Sequence, residues 1–169
     1  LYGPISDLIP STPVFEMYPI GFTSIAEYLG RSGYHVRIVN LGVRMLNDPS
    51  FDVERQLSKL KAPVFGVDLH WLPHAHGAIE VARLVKKHHP GAAVVMGGIS
   101  SSYFYNELIR YPEVDYVLRG DSTEEPLRQL MDCITKGGEL ASVPNLVWKD
   151  TQGAVQENPL SYIPYSLDG

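Results

Sequence analysis

The spacing of apolar residues changes period several times along the chain, and each change marks an element. From Ile20 onward, Phe22, Ile25, Ala26 and Leu29 repeat at helical spacing, and Gly33 closes that helix. Tyr34 to Leu41 reads as a strand and Gly42 to Ser50 as a connector. Phe51, Val53, Leu57 and Leu60 then form one face of a second helix, opened by Ser50 or Asp52. Pro63 to Leu69 is a strand. Ala78 to His89 is a helix with Ile79, Ala82, Leu84 and Val85 inward, and Lys86-Lys87-His88-His89 places positive charge at its C-terminal end, where the helix dipole favours it.

After the break at Pro90-Gly91, the run Ala92-Ala93-Val94-Val95-Met96 stops at Gly97-Gly98, and Ser100, Ser101 and Ser102 follow. An apolar run without alternation predicts a strand buried on both faces, as in a parallel sheet. Tyr103 to Arg110 is a helix stopped by Tyr111-Pro112, and Val114 to Leu118 is a strand. Ser122 to Thr135 is a helix whose Ser122-Thr123-Glu124-Glu125 start carries a capping-box signal. Asn145 to Lys149, the turn Asp150-Thr151-Gln152-Gly153, and Ala154 to Gln156 predict a β-hairpin.

Helices alternating with strands imply βαβ crossovers: an α/β domain with a doubly wound parallel sheet, helices on both faces and a small C-terminal hairpin. Residues 1–19 hold Pro4, Pro10, Pro13 and Pro19 and read as an N-terminal loop. Residues 20–156 form a single domain, and 157–169, with Pro159 and Pro164, read as a linker. A doubly wound domain normally begins with a strand, so the first strand is expected upstream of Leu1. The chain opens on Leu-Tyr-Gly-Pro rather than Met, which reads as a piece of something longer.

Composition narrows the function classes. The net charge of −5 argues against a phosphate-backbone binder, so no nucleic-acid partner is expected. A single cysteine, Cys133, leaves no disulfide framework and no all-cysteine cluster within these residues, and suits a cytoplasmic setting. No apolar run approaches the roughly 20 residues of a membrane span, so no membrane role is expected.

Three strand ends should share the carboxyl edge of the sheet: Asp68-Leu69-His70-Trp71, Gly97-Gly98-Ile99-Ser100 and Arg119-Gly120-Asp121-Ser122. Ligands bind there in open α/β sheets. No G-x-G-x-x-G follows a strand and no P-loop is present, which removes support for dinucleotide and nucleoside-triphosphate sites. His70, His74 and His76 beside Asp68 offer metal-ligand types, but Pro73 disrupts their helical spacing. Contact of His70 and Trp71 with a planar ligand is the preferred use of that loop. No metal ligand and no catalytic residue is assigned: Ser100, Ser101 and Ser102 lack a paired base, Cys133 reads as packing, and Glu124 and Glu125 read as helix-start charges. Gly97 and Gly98 would clear space for a large ligand, with Ser100 and Ser101 bonding its edge.

With these loops in view, the chain resembles the N-terminal cobalamin-binding domain of cobalamin-dependent radical SAM proteins. The residues carrying the resemblance are Tyr18-Pro19-Ile20-Gly21-Phe22, Gly33-Tyr34-His35-Val36-Arg37-Ile38-Val39-Asn40, Val64-Phe65-Gly66-Val67-Asp68, Val94-Val95-Met96-Gly97-Gly98 and Val114 to Asp121, followed by Pro144-Asn145-Leu146-Val147-Trp148. The resemblance implies a flavodoxin-like (Rossmann-like) fold holding cobalamin. The expected cofactor-binding residues are Asp68, Leu69, His70, Trp71, Gly97, Gly98, Ile99, Ser100, Ser101, Arg119, Gly120 and Asp121. It also implies a downstream radical SAM domain of the same polypeptide, with a 4Fe-4S cluster and S-adenosylmethionine, neither of them on this chain. Asp68-Leu69-His70 begins the D-x-H-x-x-G pattern of other cobalamin domains, but Pro73 stands in place of its glycine, so His70 is read as a ring contact rather than a cobalt ligand. Two other readings stay open: a non-enzymatic corrinoid or small-ligand sensor, and half of a nucleotide- or sugar-transfer enzyme.

Overall fold

The computed structural model describes residues 20–164. The expected N-terminal loop, the expected first strand and the last five residues lie outside them. The described helices are α1 (Ile20–Arg31), α2 (Leu41–Asn47), α3 (Val53–Ser58), α4 (Ala75–His88), α5 (Ile99–Tyr103), α6 (Tyr105–Leu108) and α7 (Glu124–Lys136). The strands are β1 (Val64–Asp68), β2 (Ala93–Gly97), β3 (Tyr116–Leu118), β4 (Leu146–Lys149) and β5 (Val155–Glu157). They form one sheet in the order β1-β2-β3-β4-β5. β1, β2 and β3 run parallel, and the β4–β5 hairpin continues the sheet antiparallel from β3.

Helices cover both faces, as the alternation of elements requires. On one face Phe65, Val67, Val94, Met96, Val117 and Val147 meet Ala78, Val81, Ala82 and Val85 of α4, with Leu57 and Leu60 beside them. On the other face Val95, Leu118, Leu146 and Trp148 pack with Leu130 of α7. Each fully buried aliphatic side chain contributes about 1.5–3 kcal/mol, so these two clusters are the main source of stability. α1 lies against α7 through a polar seam. Tyr28 donates to Glu125 at 2.8 Å, Ser24 donates to Glu124 at 2.7 Å, and Tyr34, just past α1, donates to Asp132.

Several predicted boundaries change. Tyr34 to Asn40 forms no ladder among the described residues, and Val36 and Ile38 stay exposed. A strand needs a paired neighbour for its backbone groups, whatever its β-propensity. Asn40 instead caps α2, its side chain accepting the Val43 N–H at 3.0 Å, so part of the expected connector is helix. The helix expected over 103–110 is two short pieces broken at Phe104, the first starting at Ile99. Thr123 makes no side-chain capping bond on α7. The carboxylates of Glu124 and Glu125 reach across to α1, so their role is inter-helix rather than capping.

The expected linker also begins too early. Asn158 is buried, donating through Nδ2 to the carbonyls of Leu140 (2.7 Å) and Val143 (2.6 Å). Asn145 sits fully buried at φ 65°, and its Oδ1 accepts the N–H groups of Ser161 and Tyr162. The domain therefore extends through Tyr162.

Candidate cofactor-binding site

The three predicted loops do come together, because backbone groups at the strand ends find partners in the next loop. Leu69 donates to the Gly97 carbonyl at 2.7 Å, Ser101 N–H donates to the Leu69 carbonyl at 3.2 Å, and Ser100 Oγ donates to the His70 carbonyl at 2.9 Å. The second and third loops are joined by Ser102, whose hydroxyl accepts the Gly120 N–H at 2.9 Å. Arg119 N–H donates to the Asn145 carbonyl at 3.1 Å and ties the third loop to the hairpin.

Gly98 makes the tight junction possible. At φ 101° it occupies backbone space that L side chains rarely adopt. A Cβ there would stand 2.9 Å from both the carbonyl carbon and the oxygen of Leu69, and would strike Asp68 Oδ1.

Gly97 and Gly66 act differently. The strand register puts Gly66 beside Val95 and Asp68 beside Gly97, so Gly66, Asp68 and Gly97 face the α7 side of the sheet. A Cβ added at Gly66 or Gly97 would meet nothing within 4 Å. Gly66 is exposed in the middle of a strand whose neighbours Phe65 and Val67 are buried. Among the described residues the α7 face is therefore open at Gly66 of β1 and Gly97 of β2, where two missing side chains leave a bay.

Asp68 stands at the head of this bay, half-buried. Burial pushes its carboxyl above the ordinary aspartate range, and among the described residues His70 and His74 pull the other way. Trp71 (54% exposed), Leu72 (48%) and Ile99 (42%) form an apolar rim on the same edge. His70 meets the Trp71 ring edge-on, with centroids 5.3 Å apart.

The expected site residues therefore divide. Asp68, His70, Trp71, Gly97, Gly98, Ile99 and Gly120 lie at the assembled edge. Leu69 contributes its backbone, while its side chain is in the core. The hydroxyl protons of Ser100 and Ser101 go to the carbonyls of His70 and Gly97, and Ser101 is fully buried. Arg119 turns into the hairpin: it donates to Glu157 Oε1 and the Asn158 carbonyl, both at 2.5 Å, and lies over the Tyr105 ring. Its Nε is buried with no hydrogen-bond partner among the described residues. Asp121 is exposed. Among the described residues no three His, Cys, Asp or Glu side chains are grouped as a metal ion would need.

Gly66 was missing from the expected site. Its signal was a lone glycine inside Val64-Phe65-Gly66-Val67, a pattern that marks close approach of another group to a strand. Ser102 and Asn145 were missed because only the folded chain places them between loops.

The B12 binding domain family matches residues 8–129. The chain belongs to that family. It is similar to the hopanoid C-3 methylase of Methylococcus capsulatus, 29% identical over 139 residues that make up 80% of this chain and 26% of that protein. An uncharacterized methyltransferase of Pyrococcus horikoshii is 27% identical over 143 residues, 83% of this chain and 30% of that protein. The chain thus spans less than a third of the length of these curated relatives.

Among solved structures, the radical S-adenosylmethionine methyltransferase TsrM from Kitasatospora setae, with cobalamin and a [4Fe-4S] cluster bound, superposes with a TM-score of 0.72. The match has 19% identity and covers 89% of this chain and 28% of that one. The cobalamin-dependent S-adenosylmethionine radical enzyme OxsB, with aqua-cobalamin and S-adenosylmethionine bound, gives 0.71 at 18% identity over 86% and 20%. These likenesses establish the fold as the Rossmann-like cobalamin-domain architecture.

The bay fits the group this family binds. A corrinoid is broad and rimmed by amides, and it needs an open sheet face, an apolar platform and a few polar contacts. Gly66 and Gly97 provide the space, Trp71 and Ile99 the platform, and Asp68 and His70 the polar contacts. No helix among the described residues is long and apolar enough to cross a membrane.

Proposed function

We propose that this chain holds cobalamin at the carboxyl edge of its sheet and presents it to a radical SAM domain of the same polypeptide, in the cytoplasm. The observation that carries this reading is the open bay over Gly66 and Gly97, set between strand-end loops that hydrogen-bond one another. The relatives add the context. One is named a methylase, another a methyltransferase, and the chain covers only 26% and 30% of their lengths, which leaves ample room for a catalytic domain. Neither the sensor nor the transferase-half alternative gains support.

The division of labour follows from the residues. The cofactor, when bound, supplies cobalt-centred group-transfer or radical chemistry. This chain orients it and shields one side from water. His70 contacts the ring rather than the metal. The reaction is methyl transfer, or a related carbon-centred radical reaction, on a substrate bound by the second domain.

The test is anaerobic purification of the full-length protein with hydroxocobalamin, followed by cobalt and iron analysis and visible spectroscopy. About one corrinoid and one four-iron cluster per polypeptide are expected. A folded protein that retains no corrinoid would overturn the reading.

A further inference from the structure

The polar feature at the head of the bay is a carboxylate that forms no ion pair with another described residue. Nine ion pairs join described residues, and Asp68 takes part in none of them. Among the described residues no side-chain donor reaches it either; its hydrogen bond comes from the His70 backbone. Elsewhere the chain compensates carboxylates that leave water. Asp115 holds Lys86 at 2.6 Å, and Glu125 holds Arg128 at 2.6 Å and Tyr28 at 2.8 Å. A half-buried carboxylate with no such partner among the described residues is costly in a protein that only has to fold. It is cheap if a ligand brings the missing donor.

Its placement supports this. Asp68 shares a sheet face with Gly66 and Gly97, the two positions where an added Cβ would meet nothing. Gly98 backs it so closely that no side chain fits there, which holds the carboxylate in place at the head of the open face. Among the described residues, the titratable groups acting on it are His70 and His74, both on the segment that follows β1. The Gly97–Ser101 turn packed on its other side brings none.

Resting on the reading above, we propose that Asp68 is the polar anchor of the bay: its carboxylate accepts a hydrogen bond from an amide N–H or hydroxyl of the bound corrinoid. The ionised form is then the binding form. Phosphate is excluded as its partner, because two anions would face each other with no cation between them. Binding should strengthen as pH rises through the titration of Asp68. That titration lies above the ordinary aspartate range, because burial disfavours the charged form. Cofactor binding should in turn pull it back down, since a ligand that prefers the carboxylate stabilises it.

The experiment uses the full-length protein and hydroxocobalamin. Dissociation constants are measured from about pH 3.5, near the ordinary aspartate value, up to pH 8, through quenching of tryptophan emission, because Trp71 is exposed at the rim while Trp148 is buried. Wild type should bind more tightly as pH rises. Asp68→Asn should bind about tenfold more weakly at pH 7 and lose the Asp68 step. His70→Gln and His74→Gln should each keep it.

Carboxyl titration by isotope-edited infrared or carbon NMR reads the same group without relying on a variant's folding. A raised value in the unloaded protein should fall on loading. If Asp68→Asn matches wild type in affinity and pH profile, or the carboxyl titration does not move on loading, Asp68 is not the anchor. If wild type takes up no cobalamin at any pH, the cofactor reading itself fails.

Discussion

The hydroxyl of Ser102 accepts the Gly120 backbone N–H at 2.9 Å and lies 3.1 Å from the Gly98 carbonyl, to which it donates. One side chain thus fastens the turn after β2 to the turn after β3. Gly120 sits at φ 110° with Asn145 behind it, so it has little freedom to find another acceptor. Ser102→Ala should cost about 1–2 kcal/mol in chemical denaturation, since it strands a part-buried donor. Amide exchange at Gly120 should rise with little change in the strands. Unchanged exchange at Gly120 would mean that the two turns are held by packing alone.

The glycines of the site separate space from conformation. Gly66→Val and Gly97→Ala add side chains where nothing lies within 4 Å, so thermal stability should hold within a few degrees. Cobalamin affinity should fall tenfold or more, most strongly for Gly66→Val, because the bay is filled. Gly98→Ala meets Leu69 backbone atoms at 2.9 Å in a strained region, and should cost about 3 kcal/mol. Normal cobalamin affinity in Gly66→Val would place the cofactor elsewhere.

Asn145 organises the end of the domain. It is fully buried at positive φ, and its amide serves Ser161 and Tyr162 through both ends. Asn145→Ala loses these bonds and keeps the strained backbone, for an expected loss of about 2–4 kcal/mol. Asn145→Gly relieves only the strain, so its loss should be smaller than that of the alanine variant. Equal stability of wild type and Asn145→Ala would show that residues 158–162 are not part of the cooperative unit.

The α1–α7 seam should respond to acid. Arg128 first, with Gln129 and Tyr28, holds the Glu125 carboxyl down to about 2 from an ordinary value near 4.5. A depressed folded-state value means that this contribution is complete above about pH 4.5 and is lost as pH falls toward 2. α1 should therefore loosen in that window, seen as rising amide exchange near Tyr28, while α4 stays protected. Tyr28→Phe removes one donor, costs about 1 kcal/mol, and should bring on the loosening at a higher pH. Amide protection near Tyr28 that is unchanged down to pH 2 would show that ionised Glu125 does not hold α1.

The sequence alone determined the α/β class, the three strand-end loops and the Gly97-Gly98 turn. Those features are local: an unbroken apolar run, a pair of glycines and a helical period each leave their mark within a few residues. Gly66 was equally visible as a glycine inside a strand, although its role had to wait for its neighbours. Only the tertiary structure decided what lies between segments. It turned Arg119 into the hairpin, used the protons of Ser100 and Ser101 internally, and denied Tyr34–Asn40 a ladder among the described residues. It also carried the domain past Glu157. A hydrogen bond joins groups that are close in space, and the pairs Ser102–Gly120, Asn145–Tyr162 and Arg119–Glu157 are 17 to 38 residues apart in the chain. No local pattern encodes such a pairing, so the bay and the place of Asp68 at its head appear only once the strands are in register.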